Sequence, residues 1–243
     1  MKRSHKSKGF TIIELMLAMG FVSTLLLAIA MTIIQVGKTY NSGLILNQVN
    51  QVGQTMSAEM QRSIQASSGL APVRIGSTTT YQPSGTKYRV DEFGGRLCLG
   101  QYSYVWNYAK TVATGSDPQK NKFENVSDGA INFLKVTDAG GYYCRGTDNK
   151  SPSVKKADAV DMLASGNRDL AIHTFNIQTS SSSIDTGSHQ ILYVVNFTIG
   201  TTDVNAIKSD YSACKDPSET GADPEYCVIR QFTLAVRANN AVN

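Results

Sequence analysis

The run KGFTIIELMLAMGFVSTLLLAIAMTII, residues 8–34, carries one carboxylate, Glu14, at the mouth of an otherwise apolar stretch. From Leu15 to Gly37 no charged residue occurs. As a helix this segment extends roughly 34 Å at about 1.5 Å per residue, enough to cross a hydrocarbon core of about 30 Å. A charged side chain inside such a span costs about 2.5 to 3.5 kcal/mol on insertion scales, so Glu14 is by default a functional residue.

Upstream of the run the chain is basic. Lys2, Arg3, Lys6 and Lys8 precede Gly9 with no acid among them; the other 19 of the 23 basic residues balance the 19 acidic ones. The pI near 8.8 therefore says nothing about a nucleic-acid partner. The excess is a topogenic tail, and positive segments flanking a span stay in the cytoplasm. With 243 residues and 41% hydrophobic content the chain has room for one folded domain plus an extra element. A secretory signal with cleavage after Ala28-Ile29-Ala30 competes for the span, as does an uncleaved signal anchor. The residues after Ala30 are still apolar, and an acid at the entrance of such a signal is unusual.

KGFTIIELMLAMG resembles the processing site of class III signal peptides, those of type IV pilins and type II secretion pseudopilins. The resemblance implies a leader of residues 1–9 cut after Gly9 by a membrane prepilin peptidase, N-methylation of the new N-terminus at Phe10, and Glu14 as the fifth mature residue. It covers about the first 30 residues and joins basic leader, Gly-Phe junction, Glu offset and uninterrupted span. Glu14 is costly alone in lipid and tolerable when a cation meets it in a low-dielectric interior. In pilin filaments, as the resemblance implies, the Glu at this place pairs with the N-terminal amine of a neighbouring subunit. The competing view of Glu14 is a side chain snorkelling to the headgroups.

Past the span, Ile45, Val49, Val52, Met56, Met60 and Ile64 recur at steps of three and four, with Asn, Gln and Glu between them. The spacing predicts one amphipathic helix continuing the membrane helix, from Phe10 to about Gln65 and roughly 84 Å long. Gly37 and Gly43 are expected to soften it. Major pilins often carry a proline in the first half of this helix, and none precedes Pro72 here.

SSGLAP, residues 67–72, holds helix stop signals, and the period then changes. Tyr102, Tyr104, Trp106 and Tyr108 alternate with Ser103, Val105 and Asn107, and 131–136 reads as another strand. Asp138 to Gly141 predicts a turn into GYYCRG. KKADAVDMLAS, residues 155–165, has a short helical look. Three further strands are expected at 169–178, 189–200 and 227–237, with Ile191, Tyr193, Val195, Phe197 and Ile199 on one face. Alternating strands need a cover, and the helical stripe supplies it. The expected class is α+β: a pilin-like ladle with a long N-terminal helix packed on an antiparallel β-sheet. Its parts are a cleaved leader (1–9), a transmembrane and amphipathic helix (10–66) and a strand-rich extracytoplasmic head (67–243).

Four cysteines beyond the span fit an oxidising exterior. Four allow three pairings; Cys98 with Cys144, on neighbouring predicted strand segments, and Cys214 with Cys227, bracketing a loop, are preferred. The second pair resembles the disulfide-closed C-terminal loop of many pilins, followed here by a last strand. Closing it contributes about 3 kcal/mol in the chain-entropy model. No zinc spacing accompanies these cysteines.

Enzyme-like signals fail on context. Gly37-Lys38-Thr39 lacks the upstream glycine of a phosphate loop. Ser153-Val154-Lys155-Lys156 matches S-x-x-K without its companion motifs. His173 and His189 have no paired ligand spacing. Asp203, Asp210, Asp216, Glu219, Asp223 and Glu225 crowd the loops around Cys214 without EF-hand spacing. The aromatic row 102–108 reads as half-buried packing in preference to a stacking platform. No enzyme, cofactor or metal is expected.

The reading is a structural subunit: a minor pilin of a type IV pilus or related filament, similar to the larger PilW-type minor pilins or J-type pseudopilins. The partners implied are other pilin subunits through the N-terminal helix, the prepilin peptidase, and the inner membrane before assembly. The alternatives are a major pilin, a pseudopilin, or a membrane-anchored adhesin or DNA receptor whose head takes a surface or DNA ligand.

Overall fold

The computed structural model describes residues 9–67, 71–75, 78–82, 86–90, 93–99, 101–113, 131–138, 141–144, 154, 158–164, 169–179 and 192–238. The architecture is α+β, a long N-terminal helix with antiparallel sheets. Helix α1, Ile12–Gln65, runs 54 residues without a break. It passes through Gly37 and Gly43, where softening was expected. Each glycine costs about 1 kcal/mol of helix propensity, too little to open a ladder made on both sides of it.

The two halves of α1 differ in what covers them. The expected stripe is buried: Val49, Met56, Met60 and Ile64 are fully covered, and Ile45 and Val52 nearly so. The apolar residues of the first half stand free of the head, from Ile12 at 79% to Val36 at 63% exposure. This half is long and apolar enough to span a membrane. At the far end Ser67, itself buried, closes the helix by donating its hydroxyl to the Ile64 carbonyl at 2.7 Å.

Two sheets, not one, enclose the second half of α1. The larger has the order β3 (Thr86–Val90), β4 (Gly94–Leu99), β5 (Tyr102–Asn107), β6 (Phe133–Thr137) and β7 (Ala159–Asp161), all antiparallel. The smaller joins β8 (Leu170–Thr179), β9 (Leu192–Thr201) and β10 (Ile229–Arg237). A separate hairpin pairs β1 (Ala71–Ile75) with β2 (Thr78–Gln82). The short helix α2 (Ala109–Ala113) follows β5.

Alternation decides the faces. Tyr193, Val195, Phe197 and Ile199 of β9 point inward and are fully buried. Opposite them, β5 and β6 present Tyr104, Trp106 and Phe133, and the two sheets meet through rings. Trp106 lies 4.3 Å from Phe175 and 5.6 Å from Phe133, and Phe175 continues to Phe197 at 6.3 Å. Gly95, across from Trp106 in register, is needed for this approach: a Cβ there would lie 2.2 Å from the indole. Gly53 plays the same part on α1, where a Cβ would stand 2.0 Å from the Phe232 ring of β10.

Polar ties fasten α1 to the larger sheet. Ser63 and Tyr104 share a buried hydrogen bond of 2.7 Å, and Glu59 pairs with Lys135. The back of that sheet is covered too, by Val105, Ile131, Leu134, Val136 and Val154.

Two expectations are corrected. Within 155–165, where a short helix was expected, Asp158 belongs to a 3-10 turn and Ala159–Asp161 is the edge strand β7 pairing with β6, while 155–157 and 165 lie outside the described residues. A short helical pattern is marginal by itself, whereas β6 offers a row of unpaired backbone groups. Cys144 lies on a 3-10 turn, Tyr142–Cys144, not on a strand. Asp138 shapes that turn: its carboxylate accepts from the Tyr142 N–H at 2.7 Å, the Tyr143 N–H at 3.2 Å and the Ser103 hydroxyl at 2.5 Å.

Candidate functional site

The candidate site is the head of α1. Gly9 and Phe10 precede the helix in non-helical, exposed backbone, and Phe10 is 81% exposed. Gly9 needs no glycine for the fold, because a Cβ there meets nothing within 4 Å and its φ is not in the left-handed region. The peptide bond between them is accessible, with an apolar side chain immediately after it. Lys2, Arg3, Lys6 and Lys8 lie outside the described residues.

Thr11 is the N-cap, with extended backbone at φ −79° and ψ 151°. The Glu14 N–H donates to its hydroxyl oxygen at 3.3 Å, and Glu14 Oε2 accepts from the Thr11 N–H at 3.0 Å and the Thr11 hydroxyl at 2.9 Å. This is a capping box, in which two otherwise orphan donors are satisfied reciprocally. The role of Thr11 was legible in the sequence as T-x-x-E ahead of an apolar run. Glu14 therefore has a local partner in Thr11. Both hydrogen bonds that the carboxylate accepts in the box go to the same oxygen, Oε2.

Cys98 and Cys144 form one disulfide, joining β4 to the 3-10 turn, and Cys214 and Cys227 form the other. The second closes a loop that packs on α1. Lys38, the first charge after the span, reaches Glu225 at 2.6 Å. The Glu225 carboxylate holds the Lys38 ammonium above its ordinary range, by hydrogen bond first and by charge second. The contact joins residues 187 apart in sequence and leaves no signature in it.

The acidic residues of this loop mostly close turns. Asp203 accepts from the Asn205 N–H at 2.9 Å, Asp210 from the Ser212 N–H at 3.1 Å, and Asp216 from the Ser218 N–H at 2.9 Å. Hydrogen bonds from Ser212 and Ser218 hold Asp210 and Asp216 below the usual carboxylate range. Among the described residues no three metal-type side chains converge.

His173 fastens the same loop to β9: Nδ1 lies 2.9 Å from the Tyr211 carbonyl oxygen and Nε2 3.1 Å from that of Thr201. Only an imidazolium donates to both, yet burial outweighs these bonds and keeps His173 below its ordinary 6.5. A base depressed in the folded state adds stability above its unfolded pKa and loses it as pH falls. Thermal stability of the head should therefore decline as pH drops below about 6.5. A His173→Gln variant should show a flatter slope in the same calorimetric series; equal slopes would assign the decline to other groups.

The aromatic row is part of the core. Tyr104 and Trp106 are fully buried and only Tyr102 is exposed, at 37% with Lys135 over its ring. Alanine at 104 or 106 consequently tests folding, not adhesion or DNA uptake. Gly37-Lys38-Thr39 lies mid-helix in α1, while Ser153, Lys155, Lys156 and His189 fall outside the described residues.

Compared with family models, curated proteins and solved structures, the chain matches none.

Proposed function

We propose that this chain is a minor pilin, a structural subunit of a type IV pilus or related filament. It is cut after Gly9 by prepilin peptidase, methylated at Phe10, held in the inner membrane with its head outside, and polymerised through α1 into an extracytoplasmic filament. The observation that carries the reading is the Gly9-Phe10 junction at the head of a helix whose first half is apolar and uncovered. An apolar helix face of this length is stable in lipid or against other helices, and its large apolar residues from Ile12 to Val36 are 46–79% exposed in the isolated chain.

The ladle specific to pilins is part of the same proposal. It is supported by a helix apolar and free in one half and clasped by antiparallel sheets in the other. The size of the mature chain favours the larger minor subunits over a major pilin.

The test is the N-terminus of the protein in filaments sheared from cells, read by mass spectrometry. N-methylated Phe10 is the expected result; a start at Met31 would overturn the reading in favour of an ordinary secreted protein. Because Gly9 has no packing role, Gly9→Val should leave the head folded and block cleavage.

A further inference from the structure

A cleft of about 1200 Å³ lies between α1 and the disulfide-closed loop. Its helix side includes Met31, Ile34, Lys38 and Leu46, all on one face, and its loop side includes Pro217 and Ala222. Met31 and Ile34 belong to the last turns of the uncharged span and are 62% and 60% exposed. Lys38 is the first residue beyond that span. From Lys38 to Leu46 the helix rises only about 12 Å, and the loop already covers this stretch. No free helical spacer separates head from span. Because headgroup regions add about 5 to 8 Å on each side of the hydrocarbon, the loop of a membrane-inserted subunit stands at headgroup depth.

The polarity of the cleft follows the same axis. Its lower end is apolar, and its middle holds the Lys38 ammonium beside the Glu225 carboxylate. Asp223 stands near the pair; partial burial first, and the Glu225 carboxylate second, hold it above its ordinary range. The cleft lining thus offers one cation, Lys38, and one carboxylate, Glu225. An anionic headgroup gains one contact there and meets one repulsion, whereas a headgroup bearing both phosphate and ammonium is matched on both.

We infer that the disulfide-closed loop is a membrane-apposed foot, and that the cleft between it and α1 seats a bilayer phospholipid whose headgroup carries both a phosphate and an ammonium. The phosphate faces Lys38, the ammonium faces Glu225, and the acyl chains run down past Ile34 and Met31. This inference rests on the membrane-resident stage of the proposed function. It adds a device to it: the head is oriented on the bilayer before assembly, and the seated lipid leaves when the subunit is withdrawn.

The experiment uses the full chain in vesicles of phosphatidylethanolamine and phosphatidylglycerol, with a bimane label at Thr220→Cys and, as reference, at Thr174→Cys on the outer face of β8. A spin label on the lipid headgroup should quench the loop position about threefold more than the sheet position, as expected for contact at headgroup depth. Ser218→Cys repeats the measurement from a neighbouring residue if disulfide exchange spoils the first variant. Lipid retained on the purified protein should be enriched in phosphatidylethanolamine about fivefold over the bulk mixture. Glu225→Gln should abolish that enrichment. Equal quenching at the two positions, or enrichment of phosphatidylglycerol, overturns the inference. So does loop-to-loop crosslinking in place of quenching, which would make a second copy the occupant. A carbonate wash separates the two levels. Protein that washes off the vesicles refutes the membrane stage itself, whereas protein that stays with an unquenched loop refutes only the foot.

Discussion

Glu14→Gln should leave the chain folded, inserted and cleaved after Gly9, and should lower its recovery in sheared filaments about tenfold or more. The amide keeps an oxygen for the Thr11 hydroxyl and N–H, so the capping box survives in outline. What it loses is the charge that the resemblance assigns to pairing with a neighbour's N-terminal amine. In low dielectric such a pair is strong, and removing one member leaves the other unpaired. Thr11→Val is the complementary variant, removing the side-chain half of the cap while sparing the carboxylate. Filament recovery close to wild type is expected for it, measured by quantitative immunoblotting against the cell-associated pool. If Thr11→Val fails as badly as Glu14→Gln, the carboxylate serves the helix cap and the docking role is wrong.

The second large effect lies in the head. Trp106→Ala should cost about 3–5 kcal/mol, a large share of the roughly 5–15 kcal/mol that stabilises a domain. Trp106 is fully buried and touches rings from three other strands: Tyr88 of β3, Phe133 of β6 and Phe175 of β8. Removing it opens a cavity where the two sheets meet, and the backbone around it is already drawn close by Gly95. Trp106→Phe should cost less than half as much. It keeps a ring in the stack and removes an Nε1 that has no acceptor among the described residues. Hydrogen exchange of β5 and β8 measures both variants. Matching losses for alanine and phenylalanine would mean that the site tolerates collapse and that the seam is not what holds the sheets together.

Legibility varied with the range of the interaction. The stripe Ile45 to Ile64 was readable because helical periodicity is local, and its residues are the ones buried against the sheets. The alternation of β9 and β10 was readable for the same reason. Residues 159–161 misled because their local pattern was outweighed by pairing with β6, a partner some 25 residues away. Cys144 was placed on a strand because the sequence carries no mark of the Asp138 carboxylate that holds its 3-10 turn. Thr11 was readable as a cap and passed over in favour of the motif around it.

By itself the sequence determined the long helix, its division into an apolar and an amphipathic half, the alternation of the strands and the Gly-Phe junction with its Glu offset. Each is a property of residues within a few turns of one another, where backbone geometry alone decides which side chains share a face. Only the tertiary structure decided that two sheets and not one clasp the helix, that the aromatic row is their seam, and that the disulfide-closed loop reaches Lys38. These depend on contacts between distant segments, 187 residues apart for Lys38 and Glu225, whose chain-closure cost is repaid by burial of the whole core and by no local pattern.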